Sequence, residues 1–140
     1  MNDVNIYIEG KKLEIVDHTK FLGVILDTNL SWKDHITYLS KQISKSIGII
    51  SIARKRLNKQ TLIHLYHAFI YPYLTYCVLI WGNSPASVLW PILRLQKLAL
   101  RIIANLPFRT SSLPFCKEHM ILRLPEIYTH NASIFMYKYT

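Results

Sequence analysis

The 140 residues are 51% hydrophobic and 18% charged, enough apolar side chain to bury a core, which excludes a disordered chain; four glycines and six prolines exclude collagen-like and low-complexity classes. Seventeen Lys and Arg against eight Asp and Glu leave a net charge of +9, so the expected partner is a polyanion, nucleic acid ahead of an anionic membrane surface. Two distant cysteines, Cys77 and Cys116, exclude a disulfide framework, and the absence of a signal-like apolar run over Met1 to Lys20 makes an intracellular location, cytoplasm or nucleus, the expectation.

Val4-Asn5-Ile6-Tyr7-Ile8 alternates apolar and polar residues, Glu9-Gly10 can turn, and Leu13 to Val16 and Phe21 to Leu26 continue with β-branched and large apolar residues. This pattern predicts a small antiparallel sheet. Val24-Ile25-Leu26 are apolar in succession, the mark of a strand covered on both faces, here by parts of a larger sheet outside the chain.

Ser31 and, three positions on, Asp34 predict a helix start. Trp32, Ile36, Leu39, Ile43, Ile47 and Ile50 then form one apolar stripe, with Lys33, Thr37, Lys41, Ser44 and Lys45 on the outer side. Arg54-Lys55-Arg56 closes this helix at its negative end. Asn58 predicts the cap of a second helix through Leu62, Leu65, Tyr66, Phe69 and Ile70, which Pro72 kinks or ends. Asn83-Ser84-Pro85 predicts the start of a third, carrying Val88, Leu89, Ile92, Leu95, Ala99, Ile102 and Ile103 and ending at Asn105 to Pro107. Pro114 to Leu122 and Pro125 to Tyr139 read as two shorter helices, the last without a stop signal, as in a chain cut rather than finished. The expected fold is α+β, a short N-terminal antiparallel β-hairpin or sheet followed by a mainly α-helical bundle of about five helices, with residues 1–30 and 31–140 as two regions. Charge divides at the same point: up to Leu30 there are three Lys and five acids, and from Ser31 onward 14 Lys and Arg against three acids.

Ile63 to Trp81 is apolar in fifteen of nineteen positions and could span a bilayer by length, but His64, His67, Pro72, Thr75 and four tyrosines favour a buried helix pair. His64 and His67 lie three apart with no further ligand at a recognised spacing, so they read as boundary residues rather than a metal site. Arg94, Lys97 and Arg101 share one side of the third helix, with Trp90 one turn earlier; with Lys41, Lys45, Arg54, Lys55 and Arg56 they form a basic surface suited to a phosphate backbone. The acids are isolated, with no Asp-Asp pair for two magnesium ions, and neither a phosphate loop nor a nucleophile elbow occurs.

Thr19-Lys20-Phe21-Leu22-Gly23-Val24-Ile25-Leu26-Asp27, followed by Leu30-Ser31-Trp32 and His35-Ile36, resembles the region just after the catalytic palm in LINE-type (non-LTR, jockey-like) retrotransposon reverse transcriptases. Leu65 to Pro72 running to Tyr76 and Trp81-Gly82, and Leu95 to Ile103, agree in order and spacing. The resemblance implies that Phe21-Leu22-Gly23 is the motif beside the primer end, that residues 1–30 are an incomplete palm edge, and that residues 31–140 are thumb-like and adjoining helices holding an RNA–DNA hybrid or template–primer duplex. It also implies an RNA-directed DNA polymerase as parent, with magnesium as its cofactor, whereas the Tyr-x-Asp-Asp motif of that family is absent from this sequence. The expectation is therefore a nucleic-acid-binding fragment without catalytic residues or cofactor of its own. The alternative is a small helical protein-interaction or membrane-associated protein.

Overall fold

A computed structural model describes residues 5–140, so Val4, the first residue of the predicted opening strand, lies outside the described residues. Among the described residues the chain makes four short strands and then seven helices, an α+β fold as the sequence predicts. β1 (Tyr7–Ile8) pairs antiparallel with β2 (Lys11–Lys12) through Glu9-Gly10, and β3 (His18–Phe21) with β4 (Val24–Asp27) through Leu22-Gly23. The central φ values are +49° and +77° in the first turn and +46° and +83° in the second. Two positive φ values give the two-residue turn whose twist matches that of the flanking strands.

Two predictions change here. The pairs remain separate two-stranded ribbons rather than one sheet, and Leu13 to Val16 is not a strand. Leu13 still donates its N–H to the Ile6 carbonyl at 2.8 Å, but the exposed residues after it meet no strand to pair with. Of Val24, Ile25 and Leu26 only Val24 is buried, the other two being half-buried; β4 lies against the first helix, and the expected cover on its second face is assigned to parts outside the chain.

α1 (Lys33–Ala53) buries the predicted stripe Ile36, Leu39, Ile43, Ile47 and Ile50, while Trp32 is half-buried. Its start differs from the expectation that Ser31 caps it. Trp32 occupies the cap position at φ +64°, and the Asp27 carboxylate accepts from the Asn29, Ser31 and Trp32 N–H groups and the Ser31 hydroxyl at 3.0–3.1 Å. An ionised carboxylate offers several acceptor sites, so it can satisfy the whole reversal from upstream. The pKa of Asp27 is accordingly held below its ordinary value, chiefly by the Ser31 N–H. α2 (Lys59–Phe69) begins as predicted, with Asn58 Oδ1 accepting from the Thr61 N–H at 2.8 Å.

α2 ends just before Pro72, one of the two outcomes expected there, and the run continues as α3 (Tyr71–Thr75) and α4 (Val78–Trp81), with Cys77 at φ +53° between the last two. This is the main reason the bundle has seven helices instead of about five. Tyr66, Ile70, Leu74, Val78 and Trp81 keep one side of the broken run inside the core, and among the described residues no helix is long and apolar enough to cross a membrane.

α5 (Ala86–Ala104) starts after Pro85 without a side-chain cap, because the Ser84 hydroxyl donates instead to the Trp81 carbonyl at 2.6 Å. It ends at Asn105 in the left-handed conformation. α6 (Leu113–Glu118) ends four residues short of the expected Leu122, and α7 (Leu124–Tyr139) follows within one residue of its predicted bounds. The most extensive helix contact joins α1 to α5. Their first turns meet near Trp32 and Val88 and their ends near Arg54 and Ile103, so the two run in the same direction. Gln96, 2% exposed, donates to Tyr66 Oη at 2.9 Å and the Leu122 carbonyl at 3.0 Å and accepts from the Leu124 N–H at 3.0 Å. One side chain thereby ties α5 to α2 and to the start of α7.

Candidate nucleic-acid interface

Phe21, Leu22 and Gly23 form the tip of the β3–β4 ribbon, with Phe21 and Leu22 exposed. A left-handed leucine is strained by about 1–2 kcal/mol and needs support from its surroundings. That support comes from Tyr76 at the α3–α4 junction. Its hydroxyl donates to the Leu22 carbonyl at 2.5 Å, and its ring lies where a Cβ added to Gly23 would meet it at 3.4 Å. The base of the ribbon is held by the Asp27 bonds and by His35, whose Nδ1 accepts the Ile25 N–H at 3.3 Å. An accepting Nδ1 assigns the proton to Nε2, a buried atom with no hydrogen-bond partner, beside the Trp81 ring with centroids 5.8 Å apart. Burial accordingly pushes the His35 pKa down. The tip is thus an apolar ledge braced by Tyr76.

The basic residues fall into three groups. Arg94, Lys97 and Arg101 lie along one groove of about 460 Å³ on α5, between the rings of Trp90 and Phe108 and over the half-buried Leu95 and Leu98. The i, i+3, i+7 spacing puts the three cations on one face. The Lys97 ammonium is 5.7 Å from the Trp90 ring centroid and the Arg101 guanidinium 6.0 Å from that of Phe108. Arg101 also donates through Nε to the Thr110 carbonyl at 2.8 Å, which folds the loop carrying Phe108 back over the helix. Arg54 and Lys55 line a second cleft against the end of α5, where Lys59 joins them. Lys41 and Lys45 stand on the solvent side of α1, and Arg56 lies in the exposed link to α2. The second and third groups do not line the α5 groove.

Among the described residues the ion pairs are Arg123 with Glu126 and His119 with Glu118, so no carboxylate neutralises any of these cations. His64 and His67 are exposed on α2; His64 faces Gln60 at 3.4 Å and His67 packs edge-on against Tyr66 and Tyr71. Among the described residues no three His, Cys, Asp or Glu side chains gather as a metal site. The residues that sequence reasoning missed are Phe108, Lys59 and Tyr76. Tyr76 acts on a turn 54 positions away, and Phe108 lies in the loop beyond α5, drawn back by contacts with Arg101, so neither leaves a periodic signal.

Over 105 residues the chain is 31% identical to the RNA-directed DNA polymerase from mobile element jockey of Drosophila funebris. The matched stretch is 72% of this chain and 11% of that protein, so the chain spans about a tenth of the relative's length. No protein-family model matches the sequence, and no solved structure matches the chain. The similarity supports a reverse-transcriptase-like origin for the segment.

Proposed function

We propose that this chain corresponds to the thumb side of a non-LTR, jockey-like RNA-directed DNA polymerase and binds template–primer nucleic acid. In this reading residues 1–30 are a palm edge that presents Phe21-Leu22-Gly23 beside the primer end. Residues 31–140 are the thumb-like and adjoining helices, which hold an RNA–DNA hybrid or template–primer duplex through Lys41, Lys45, Arg54, Lys55, Arg56, Arg94, Lys97 and Arg101. The observation that carries it is the row of Arg94, Lys97 and Arg101 along one face of α5, with no carboxylate pairing them among the described residues. Unneutralised cations in a row match the repeating charge of a phosphate backbone and release its counterions on contact. Similarity to a jockey polymerase adds independent support.

The parent family's magnesium does not fit these residues, because the acids lie apart and no three ligating side chains converge among the described residues. The role proposed for this segment is grip. The test is fluorescence anisotropy of a labelled RNA–DNA hybrid with the wild type and with Arg94, Lys97 and Arg101 replaced together by alanine. Three exposed charge contacts at about 0.5–1 kcal/mol each predict a loss of roughly tenfold to a hundredfold, the same for unrelated hybrid sequences. Equal affinity of both proteins would remove these residues from the interface.

A further inference from the structure

We propose that the α5 groove is a single-strand subsite, in which unpaired bases stack on Trp90 and Phe108 while Arg94, Lys97 and Arg101 follow the phosphates. The inference rests on the nucleic-acid reading above and names the form of nucleic acid that this groove takes. In a duplex the bases are already stacked and paired, and a helix face meets mainly phosphate, for which cations alone suffice. Here two aromatic rings stand beside the cations with much of their surface in water, Trp90 at 53% and Phe108 at 77% exposure. Exposed rings along a basic groove are the platform on which single strands are held without sequence preference, since every base has a π-face.

The dimensions agree. Trp90 to Arg101 spans about 16 Å of helix axis at about 1.5 Å per residue, room for roughly five nucleotides of stacked strand at about 3.4 Å each. Phe108, folded back by the bond from Arg101 to the Thr110 carbonyl, stands at the far end of the row. Lys97 and Arg101 cover the two rings in the free protein, at 5.7 and 6.0 Å. A strand entering the groove exchanges base for cation on each ring and leaves the cation free for phosphate. The apolar floor of Leu95 and Leu98 suits the face of a base better than a second phosphate row.

The experiment measures anisotropy of two probes on the full chain: a labelled oligothymidylate of about a dozen nucleotides, within the usual site size for such grooves, and a blunt RNA–DNA hybrid. The variants are Trp90→Ala, Phe108→Ala and the triple alanine variant of Arg94, Lys97 and Arg101, with circular dichroism confirming their fold. The expected result is a loss of about five- to 150-fold on oligothymidylate for each ring variant, and a change under about twofold on the hybrid. Trp90→Phe should recover most of the loss. If the ring variants bind oligothymidylate like wild type while the triple variant weakens both probes, the stacking subsite is overturned and the nucleic-acid reading stands. Equal losses on both probes also overturn the single-strand assignment. If the folded wild type binds neither probe, the nucleic-acid reading itself fails and takes the subsite with it.

Discussion

Gln96 holds more of the molecule together than its place on a basic helix suggests. Its amide satisfies Tyr66 Oη, the Leu122 carbonyl and the Leu124 N–H in a site almost closed to water. Gln96→Leu keeps the volume but orphans a buried backbone donor and acceptor, and should cost about 1–3 kcal/mol, read as a lower urea midpoint. His35 makes a second prediction. Because burial lowers its pKa, the folded chain stays neutral there at pH values where the unfolded chain, near its ordinary value of 6.5, has already taken up a proton. The unfolded state then binds more protons, so the stability present above about pH 6.5 is lost as pH falls below it. Thermal midpoints measured from about pH 7.5 to about pH 5.5 should fall on the acid side, and His35→Asn should flatten that fall. An unchanged slope would assign the titration to another group. His67, whose pKa is also pushed down by partial burial and by His64, lies at the surface and has less to lose on charging.

At the scale of elements, packing decides what periodicity leaves open. The α1 stripe and the Asn58 cap are legible because each is local: one repeats every three or four residues, the other acts within three. The start of α1 is misread from Ser31 because Trp32 takes the cap position, its N–H and Ser31 both held by Asp27, four residues before Ser31 and inside a strand, while Ser31 Oγ receives the Lys33 N–H only at 3.5 Å. The Pro72 break is legible, but the further division at Cys77 is not, since a left-handed cysteine carries no sequence mark. The strand predicted at Leu13 to Val16 fails for want of a partner, which composition does not report. Gly82, where α4 meets α7, gives the test at this scale. A Cβ there would lie 2.5 Å from the Val78 carbonyl oxygen and 2.9 Å from the Tyr128 ring, and the carbonyl is backbone that also accepts the Gly82 N–H. Gly82→Ala should therefore destabilise by about 1–3 kcal/mol in urea unfolding despite alanine's better helix propensity. A change within about 0.5 kcal/mol would mean that the last turn of α4 and the Tyr128 ring of α7 both give way freely.

Across the whole molecule, charge divides along the chain, with an acidic excess up to Leu30 and a basic excess from Ser31 onward. That Arg94, Lys97 and Arg101 share one face of α5 was legible, because three- and four-residue spacing fixes a face. The division of the cations into the α5 groove, the Arg54–Lys55 cleft and the outer row of α1 was not legible, nor was the ring of Phe108 that closes the groove, since both depend on how distant segments pack. The central claim is that these helices grip a phosphate backbone, and the most direct measurement is the affinity for an RNA–DNA hybrid as a function of salt. Log affinity should fall linearly with log salt concentration at about 0.7–0.9 per neutralised phosphate, and replacing Arg94, Lys97 and Arg101 by alanine should flatten the slope by about two to three units. A folded wild-type protein whose affinity is indifferent to salt, or whose slope survives that replacement unchanged, would contradict the account.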